Sequence, residues 1–281
     1  MGMKTILIPT ETDAAMQSTL STALLLAQRC SSYMEGFPLR FGINEFATID
    51  FGGAMPLETF KKQSLEETQK AREMFESFMR EHNVPRSNGA NTSVSYGWFA
   101  DAGEGEDFVG NYGRVFDVTV LSRPSPNNIG MHSRAIESGL FESGRPILLS
   151  PPTAPKQIAS NIMVHWNGST EQARATAFAM PLLQQAQRVI LLTVTGGQGV
   201  PGPTSAQLLK HLQRNGITAE QMNVELSGRS TGEAVLAAAK AEGCDLLVKG
   251  AYTQSRLRQL IFGGATSHIL ANAELPVLMA H

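Results

Sequence analysis

The sequence has 281 residues, of which 42% are hydrophobic and 17% are charged. That hydrophobic fraction supports a folded core and excludes a disordered chain, and at about 100–200 residues per domain the length favours two domains. The 23 basic and 25 acidic residues give a formal net charge of -2. This balance argues against a general nucleic-acid-binding protein, because such a protein concentrates Lys and Arg to neutralise phosphates.

Targeting and redox features are sparse. No stretch approaches the roughly 20 apolar residues of a membrane span, and the apolar run near Met1 is too short for a signal peptide. The two cysteines, Cys30 and Cys244, lie far apart and fit no zinc-binding spacing. We therefore expect buried free thiols in a cytoplasmic protein that does not associate with membranes.

The first half of the chain alternates predicted strands and helices. A Gly-rich loop at 51–54 and a long polar helix over about 57–82 follow the second strand. The inserted loop, roughly 43–56, either covers a pocket or is a surface connection. The strands are predicted near 4–9, 34–41, 92–97, 117–122 and 146–150.

The second half follows a proline-rich linker at 150–155, which is predicted to be stiff and extended. Val189–Leu192 is continuously apolar, as expected for a strand with helices on both faces of its sheet. Pro276 is predicted to begin an edge strand, where a missing N–H costs least. Strands are predicted near 159–165, 188–194, 220–226, 244–249 and 276–280, and helices near 170–186, 205–215, 231–242 and 264–273.

The two halves repeat one design, since 116–121 matches 244–249 and 145–149 matches 275–279. Repeated strand–helix–strand units predict an α/β fold with two tandem, open-twisted, parallel five-stranded sheets flanked by helices. We assign 1–151 to a first domain with an inserted loop and helix, and 156–281 to a second domain.

Ligands of such sheets bind beyond the carboxyl ends of the strands, at the point where strand order reverses. In the second half this rule selects 165–169 and 249–253. Further on, Gly263 and Gly264 precede the hydroxyl residues Thr266 and Ser267 at a predicted helix start. This arrangement suggests an anion site built from backbone N–H groups, and the alternative is a turn with a capping residue.

The segment 250–266 resembles the nucleotide-binding segment of universal stress proteins. That family's pattern is Gly, two residues, Gly, nine residues, Gly, then Ser or Thr. Gly250 and Gly263 keep the first and third glycine positions with the spacing intact. Thr253 replaces the second glycine, and Gly264 replaces the hydroxyl residue, so the motif is partial.

The resemblance extends over the whole chain as a tandem pair, and 141–146 and 255–258 are similar to proteobacterial tandem members. It implies a Rossmann-like, adenine nucleotide alpha hydrolase-like sheet in each domain, and pairing of the domains through their last strands. It also implies ATP, or a related adenine nucleotide with or without Mg, in the second domain. Thr266 or Ser267 would then contact phosphate, while Asn167, where the family usually has Asp, and Val194 would line the adenosine side.

The first half departs further from the pattern. After its fourth strand comes 122–128, which has no glycine at the matching positions, and Pro124 and Pro126 remove backbone donors. Glu11, near the first-strand Asp position, would repel a phosphate. We expect no nucleotide in this half.

Three other features of the second half have two interpretations each. The segment 197–202 formally matches a dinucleotide fingerprint, but Pro201 and a predicted helix cap at Thr204 or Ser205 place its glycines in a loop ahead of the helix. His165 leads into the predicted crevice, although a lone His is more often structural. Trp166 either stacks on an adenine or forms core.

Three functions remain open from the sequence. The first is a stress-response binding module that holds an adenine nucleotide without efficient catalysis, since no general base or metal carboxylate is evident. The second is a nucleotide-independent interaction protein with an unknown protein partner, and the third is a slow nucleotide hydrolase. The assembly is also open from the sequence. Either the two halves of one chain pair with each other as a pseudo-dimer, or exposed last strands pair two chains into a homodimer.

Overall fold

The computed structural model describes residues 2–40, 57–89, 93–103, 105, 107–124, 129–197, 199–252 and 264–281. The predicted site residues Thr253 and Gly263 and the inserted loop at 43–56 therefore lie outside the described residues.

The first half contains five strands and four helices in the described part of the chain. The long polar helix predicted near 57–82 is observed as Leu57–Glu81. The strands are β1 (Thr5–Thr10), β2 (Tyr33–Pro38), β3 (Ser95–Trp98), β4 (Val118–Ser122) and β5 (Ile147–Ser150), and the helices are α1 (Met16–Cys30), α2 (Leu57–Glu81), α3 (Asp107–Gly113) and α4 (Ile129–Glu142).

The second half repeats the alternation of strands and helices, with element bounds close to those predicted. Its described strands are β6 (Asn161–His165), β7 (Arg188–Thr195), β8 (Glu220–Glu225), β9 (Leu246–Gly250) and β10 (Val277–Ala280), and its described helices are α5 (Thr170–Leu183), α6 (Ser205–Arg214), α7 (Thr231–Ala241) and α8 (Ala265–Asn272).

The α/β fold is confirmed, and the two five-stranded sheets join into one ten-stranded sheet. The strand order is β3-β2-β1-β4-β5-β10-β9-β6-β7-β8. Within each half neighbouring strands are parallel, for example Val164 of β6 beside Val248 of β9. At the junction β5 and β10 are antiparallel, with Leu148 opposite Leu278.

This junction answers one question that the sequence left open, because the last strands of the two halves pair within one chain. It also corrects the prediction for Pro276, since β10 lies between β5 and β9 in the middle of the sheet and not at an edge. Proline is tolerated there because it precedes the first ladder residue, Val277, and contributes only its carbonyl, which accepts from the Leu247 N–H at 3.0 Å.

Two apolar layers cover the sheet. One face packs against α1, α2, α5 and α6 through buried residues such as Leu20, Phe75, Ala175 and Leu212. The other face packs against α3, α4, α7 and α8 through residues such as Ile136, Val235 and Ile269. The strands are therefore apolar on both faces, which is why they read as continuous apolar runs.

A polar contact crosses between the halves, because the Arg123 guanidinium donates to the Ala273 carbonyl at 3.0 Å. The start of the linker is held to the first half, where the Ser18 hydroxyl donates to the Pro151 carbonyl at 2.6 Å. In the part of the chain that the structure describes, no helix combines the length and apolar character that crossing a bilayer needs.

Candidate ligand site in the second half

A pocket of about 290 Å³ lies at the carboxyl ends of β6 and β7. It is lined by 165–168, by Thr193 and Val194, by parts of the loop between Gly197 and Ser205, and by Thr231 at the start of α7. The position is the one that parallel sheets offer to ligands. Two predicted site residues, Asn167 and Val194, thus face the same pocket.

The turn after β6 is fixed by local hydrogen bonds. The Asn167 side-chain oxygen accepts from the Ser169 N–H at 3.2 Å, and the Ser169 hydroxyl caps α5 by accepting from the Gln172 N–H at 3.1 Å. Gly168 adopts a left-handed φ of +81°, which glycine tolerates best. The pocket therefore has one wall whose backbone conformation is set by its own sequence.

Trp166 forms part of this wall and is already bonded to protein groups. Its backbone N–H donates to the Leu192 carbonyl and its indole N–H to the Pro203 carbonyl, both at 2.8 Å. The side chain is buried in the core on the α5 and α6 face. These contacts favour the core interpretation of Trp166 over a free stacking platform.

The glycine-rich loop at 197–203 has a packing explanation. A Cβ placed on Gly202 would lie 2.3 Å from the Gly168 carbonyl oxygen, so the two backbones touch. Thr204 then caps α6 through a reciprocal capping box with Gln207. The described glycines of this segment lie ahead of the helix, as the sequence predicted, which is incompatible with a dinucleotide fingerprint.

Gly250, at the end of β9, is packed against the first turn of α5. A Cβ at this position would lie 2.4 Å from the Gln172 backbone nitrogen and 2.7 Å from the Glu171 carbonyl carbon. The Gly250 N–H donates to the Gln172 side-chain oxygen at 2.7 Å. This close strand–helix contact is a structural reason for glycine, separate from the predicted access of a phosphate.

Thr266 lies in the first turn of α8, and its hydroxyl already has protein partners. It accepts from the Lys249 ammonium at 3.0 Å and from the Tyr252 N–H at 3.4 Å. The preceding residue, Gly264, caps α8 without a side-chain hydrogen bond. Ser267 follows within the same helix and is half-buried.

Two buried titratable groups sit side by side at this edge, and the sequence reasoning used neither as a ligand. Burial, followed by the nearby positive charge of Lys249, lowers the pKa of His165 to about 3, so its imidazole is neutral. Burial lowers the pKa of Lys249 to about 8. A lysine that ends an apolar strand, as in Leu246-Leu247-Val248-Lys249, was the available signal.

The pocket is polar but uncharged. None of its described lining residues carries a formal charge at neutral pH. Among the residues that the structure describes, no group of three or more His, Cys, Asp and Glu is arranged to hold a metal ion.

The first half carries a different arrangement at the ends of β4 and β5, the strands that correspond to β9 and β10. Ser122 of β4 and Ser150 of β5 both hydrogen-bond to the Thr19 hydroxyl of α1, at 2.8 Å and 2.7 Å. All three are buried. These hydroxyls satisfy one another, which leaves less polar capacity for a ligand there.

Comparison with known proteins identifies relatives of this arrangement. A model of the universal stress protein family matches residues 159–281. A universal stress protein from Archaeoglobus fulgidus is 12% identical, covers 98% of this chain and 97% of its own, and superposes with a TM-score of 0.72. No curated protein matches the chain.

Two further solved structures are similar. A protein described as a universal stress protein from Pseudomonas aeruginosa is 14% identical over 99% of this chain and 93% of its own, with a TM-score of 0.55. A universal stress protein in complex with cAMP is 21% identical over 43% of this chain and 96% of its own. Its TM-score of 0.35 is too low to carry its ligand to this chain. The two whole-chain likenesses support the tandem arrangement of the fold.

Proposed function

We propose that the protein is a tandem universal stress protein that binds an adenine nucleotide, such as ATP, in its second half, where the model of that family matches residues 159–281. The observation that carries the proposal is the pocket at the carboxyl ends of β6 and β7, which contains Asn167 and Val194.

The size and lining of this pocket suit a nucleoside. At about 290 Å³ it lies just below the roughly 300–1,000 Å³ range of small-molecule sites, which is enough for the nucleoside part of a ligand. The apolar side chains of Val194, Val200 and Pro203 offer surface to a base, and the polar groups of Asn167 and Thr231 offer hydrogen bonds. The phosphates of a nucleotide would extend outside this volume.

We propose that those phosphates extend toward the first turn of α8. A helix N-terminus carries unpaired N–H groups and a partial positive charge. Gly264 provides no capping side chain there, so those groups remain available to an anion. We propose binding without efficient turnover, because the pocket's only titratable lining group, within the described residues, is the neutral His165.

Calorimetric titration tests the proposal. We expect ATP, ADP or AMP to bind the purified protein with a dissociation constant in the micromolar range, with magnesium tested as a separate variable. Val194→Trp should fill the pocket and weaken binding at least about 10-fold, because its indole occupies the volume that the base needs.

The matched control is Val115→Trp, since Val115 lies in the first half and is 71% exposed. It should leave nucleotide affinity unchanged. No measurable heat with the wild-type protein at high micromolar nucleotide, or equal losses in both variants, would contradict the proposal.

A nucleotide-independent interaction protein is the second candidate. The Thr266 hydroxyl favours it, because Lys249 and Tyr252 already hold the group that the resemblance assigned to phosphate. In that case a protein partner recovered with the wild-type chain should also be recovered with Val194→Trp, with and without added ATP.

A further inference from the structure

Lys249 occupies an unusual place for a charged side chain. Val164 of β6 is paired with Val248 of β9 in a parallel register. The residues that follow them, His165 and Lys249, therefore lie side by side near the carboxyl ends of these two strands. Side chains alternate between the faces of a strand, which puts Lys249 on the same face as Leu247, toward α7 and α8. Only 6% of Lys249 is exposed.

The positive charge of this lysine has no counter-charge in the described chain. The Lys249 ammonium donates to the Gly250 carbonyl at 2.7 Å and to the Thr266 hydroxyl at 3.0 Å. Both acceptors are neutral, and an ammonium group has three N–H donors. No carboxylate of the described residues accepts the third. A buried cation of this kind is costly unless an anion pairs with it.

A second titratable group lies on this edge. His165 lines the pocket and is 5% exposed. It borders Lys249, whose positive charge acts on it. A neutral imidazole can donate one hydrogen bond and accept another, so its ring presents polar atoms to a ligand in the cavity.

The surroundings of Lys249 also favour an anion. Thr266, its hydrogen-bond partner, lies in the first turn of α8, whose cap residue Gly264 has no side-chain hydrogen bond. The partial positive charge of the helix start therefore adds to the charge of the ammonium group. At neutral pH the lysine remains mostly protonated, because its pKa is about 8.

From these contacts we propose that Lys249 is a specificity-determining residue whose ammonium group pairs with the phosphate nearest the nucleoside, so that the second half selects phosphorylated over uncharged ligands. This inference rests on the proposed function, and it names the charge of the ligand and the side chain that recognises it.

A cycle of ligands and variants tests the role of this lysine. Titrate the wild-type protein, Lys249→Met and Lys249→Arg with adenosine and with AMP. Losing a charged hydrogen bond to phosphate should weaken AMP binding of Lys249→Met about 10- to 100-fold, while adenosine binding changes less than about 2-fold. Lys249→Arg keeps the charge and should retain part of the preference for AMP.

Two outcomes would overturn the inference while leaving the proposed function intact. An equal loss of adenosine and AMP affinity in Lys249→Met would show that the lysine only holds Gly250 and Thr266 in place. Unchanged AMP affinity would show that the phosphate does not meet the ammonium group.

A separate experiment tests anion binding at Lys249 with a ligand that contains no adenine. Inorganic pyrophosphate should raise the melting temperature of the wild-type protein and leave that of Lys249→Met unchanged. If the wild-type protein binds neither adenosine nor AMP, the proposed function fails, and the pyrophosphate arm alone decides on the anion site. No pyrophosphate stabilisation of the wild-type protein in that case overturns the inference as well.

Discussion

Replacing Gly250 by alanine should destabilise the second half by about 3 kcal/mol. The new Cβ would lie 2.4 Å from the Gln172 nitrogen and 2.7 Å from the Glu171 carbonyl carbon, so strand and helix must separate by roughly 1 Å to restore ordinary contact. Overpacking of this kind costs about 1–3 kcal/mol. The clashing atoms are backbone, which cannot rotate away, and the buried hydrogen bond from the Gly250 N–H to the Gln172 side chain would also lengthen, adding about 1 kcal/mol.

Urea unfolding followed by tryptophan fluorescence measures this cost. The chain has two tryptophans, so a Trp98→Phe background leaves Trp166 as a reporter of the second half. Gly199→Ala is the matched control, because its Cβ would meet no atom of the described residues beyond its chain neighbours within 4 Å. It should change the free energy of unfolding by less than about 0.5 kcal/mol.

A loss below about 1 kcal/mol for Gly250→Ala, with an unchanged denaturant slope, would refute the packing argument. The requirement for glycine at the end of β9 would then have to come from a ligand that approaches the backbone, as the resemblance implied.

The remaining predictions concern buried polar groups and a helix cap. The pKa of His165 is lowered from 6.5 to about 3 in the folded state. Below pH 6.5 the unfolded state therefore binds a proton that the folded state does not bind, and the stability of the fold decreases as the pH falls. His165→Leu should remove about 2 kcal/mol of the stability lost between pH 6.5 and 4.5, and parallel wild-type and variant curves would exclude this. Ser230→Ala removes the capping box of α7 and should cost about 1 kcal/mol in thermal or urea unfolding, with no loss meaning that the cap is dispensable. Thr19→Val leaves Ser122 and Ser150 without their shared partner and should destabilise the first half by about 1–3 kcal/mol, as read from Trp98 fluorescence in a Trp166→Phe background. An unaffected unfolding midpoint for Thr19→Val would mean that water replaces the lost hydroxyl.

The alternation of elements was predictable because each buried strand is apolar along its whole length. Residues 116–121 and 244–249 were matched by sequence, and they became β4 and β9, which take equivalent places in the two halves. The residues of β10 alone did not predict its partner, since an apolar strand such as Val277–Ala280 is equally compatible with another chain or with β5. Only the resemblance implied that the domains pair through their last strands. Which edge it meets depends on the packing of both halves.

The site was predictable only in part. The rule for strand ends selected the segment that contains Asn167, and the resemblance assigned Asn167 and Val194 to the adenosine side. The structure places both residues in one pocket, and their contact with a ligand remains a prediction. The occupation of the Thr266 hydroxyl by Lys249 was not found, because the two residues are 17 positions apart and meet only through tertiary packing. Thr253 and Gly263 remain predictions.

The antiparallel join of β5 to β10 reverses the direction of the strands between the two halves. The carboxyl ends of β1–β5 and those of β6–β10 consequently lie on opposite margins of one continuous sheet. A single small molecule cannot bridge the two crevices, so each is free to change its loops without obstructing the other. Communication between them would pass through the central strands β9, β10 and β5 or through side-chain contacts between the halves, such as that of Arg123 with Ala273, which makes this junction the place to look for any coupling.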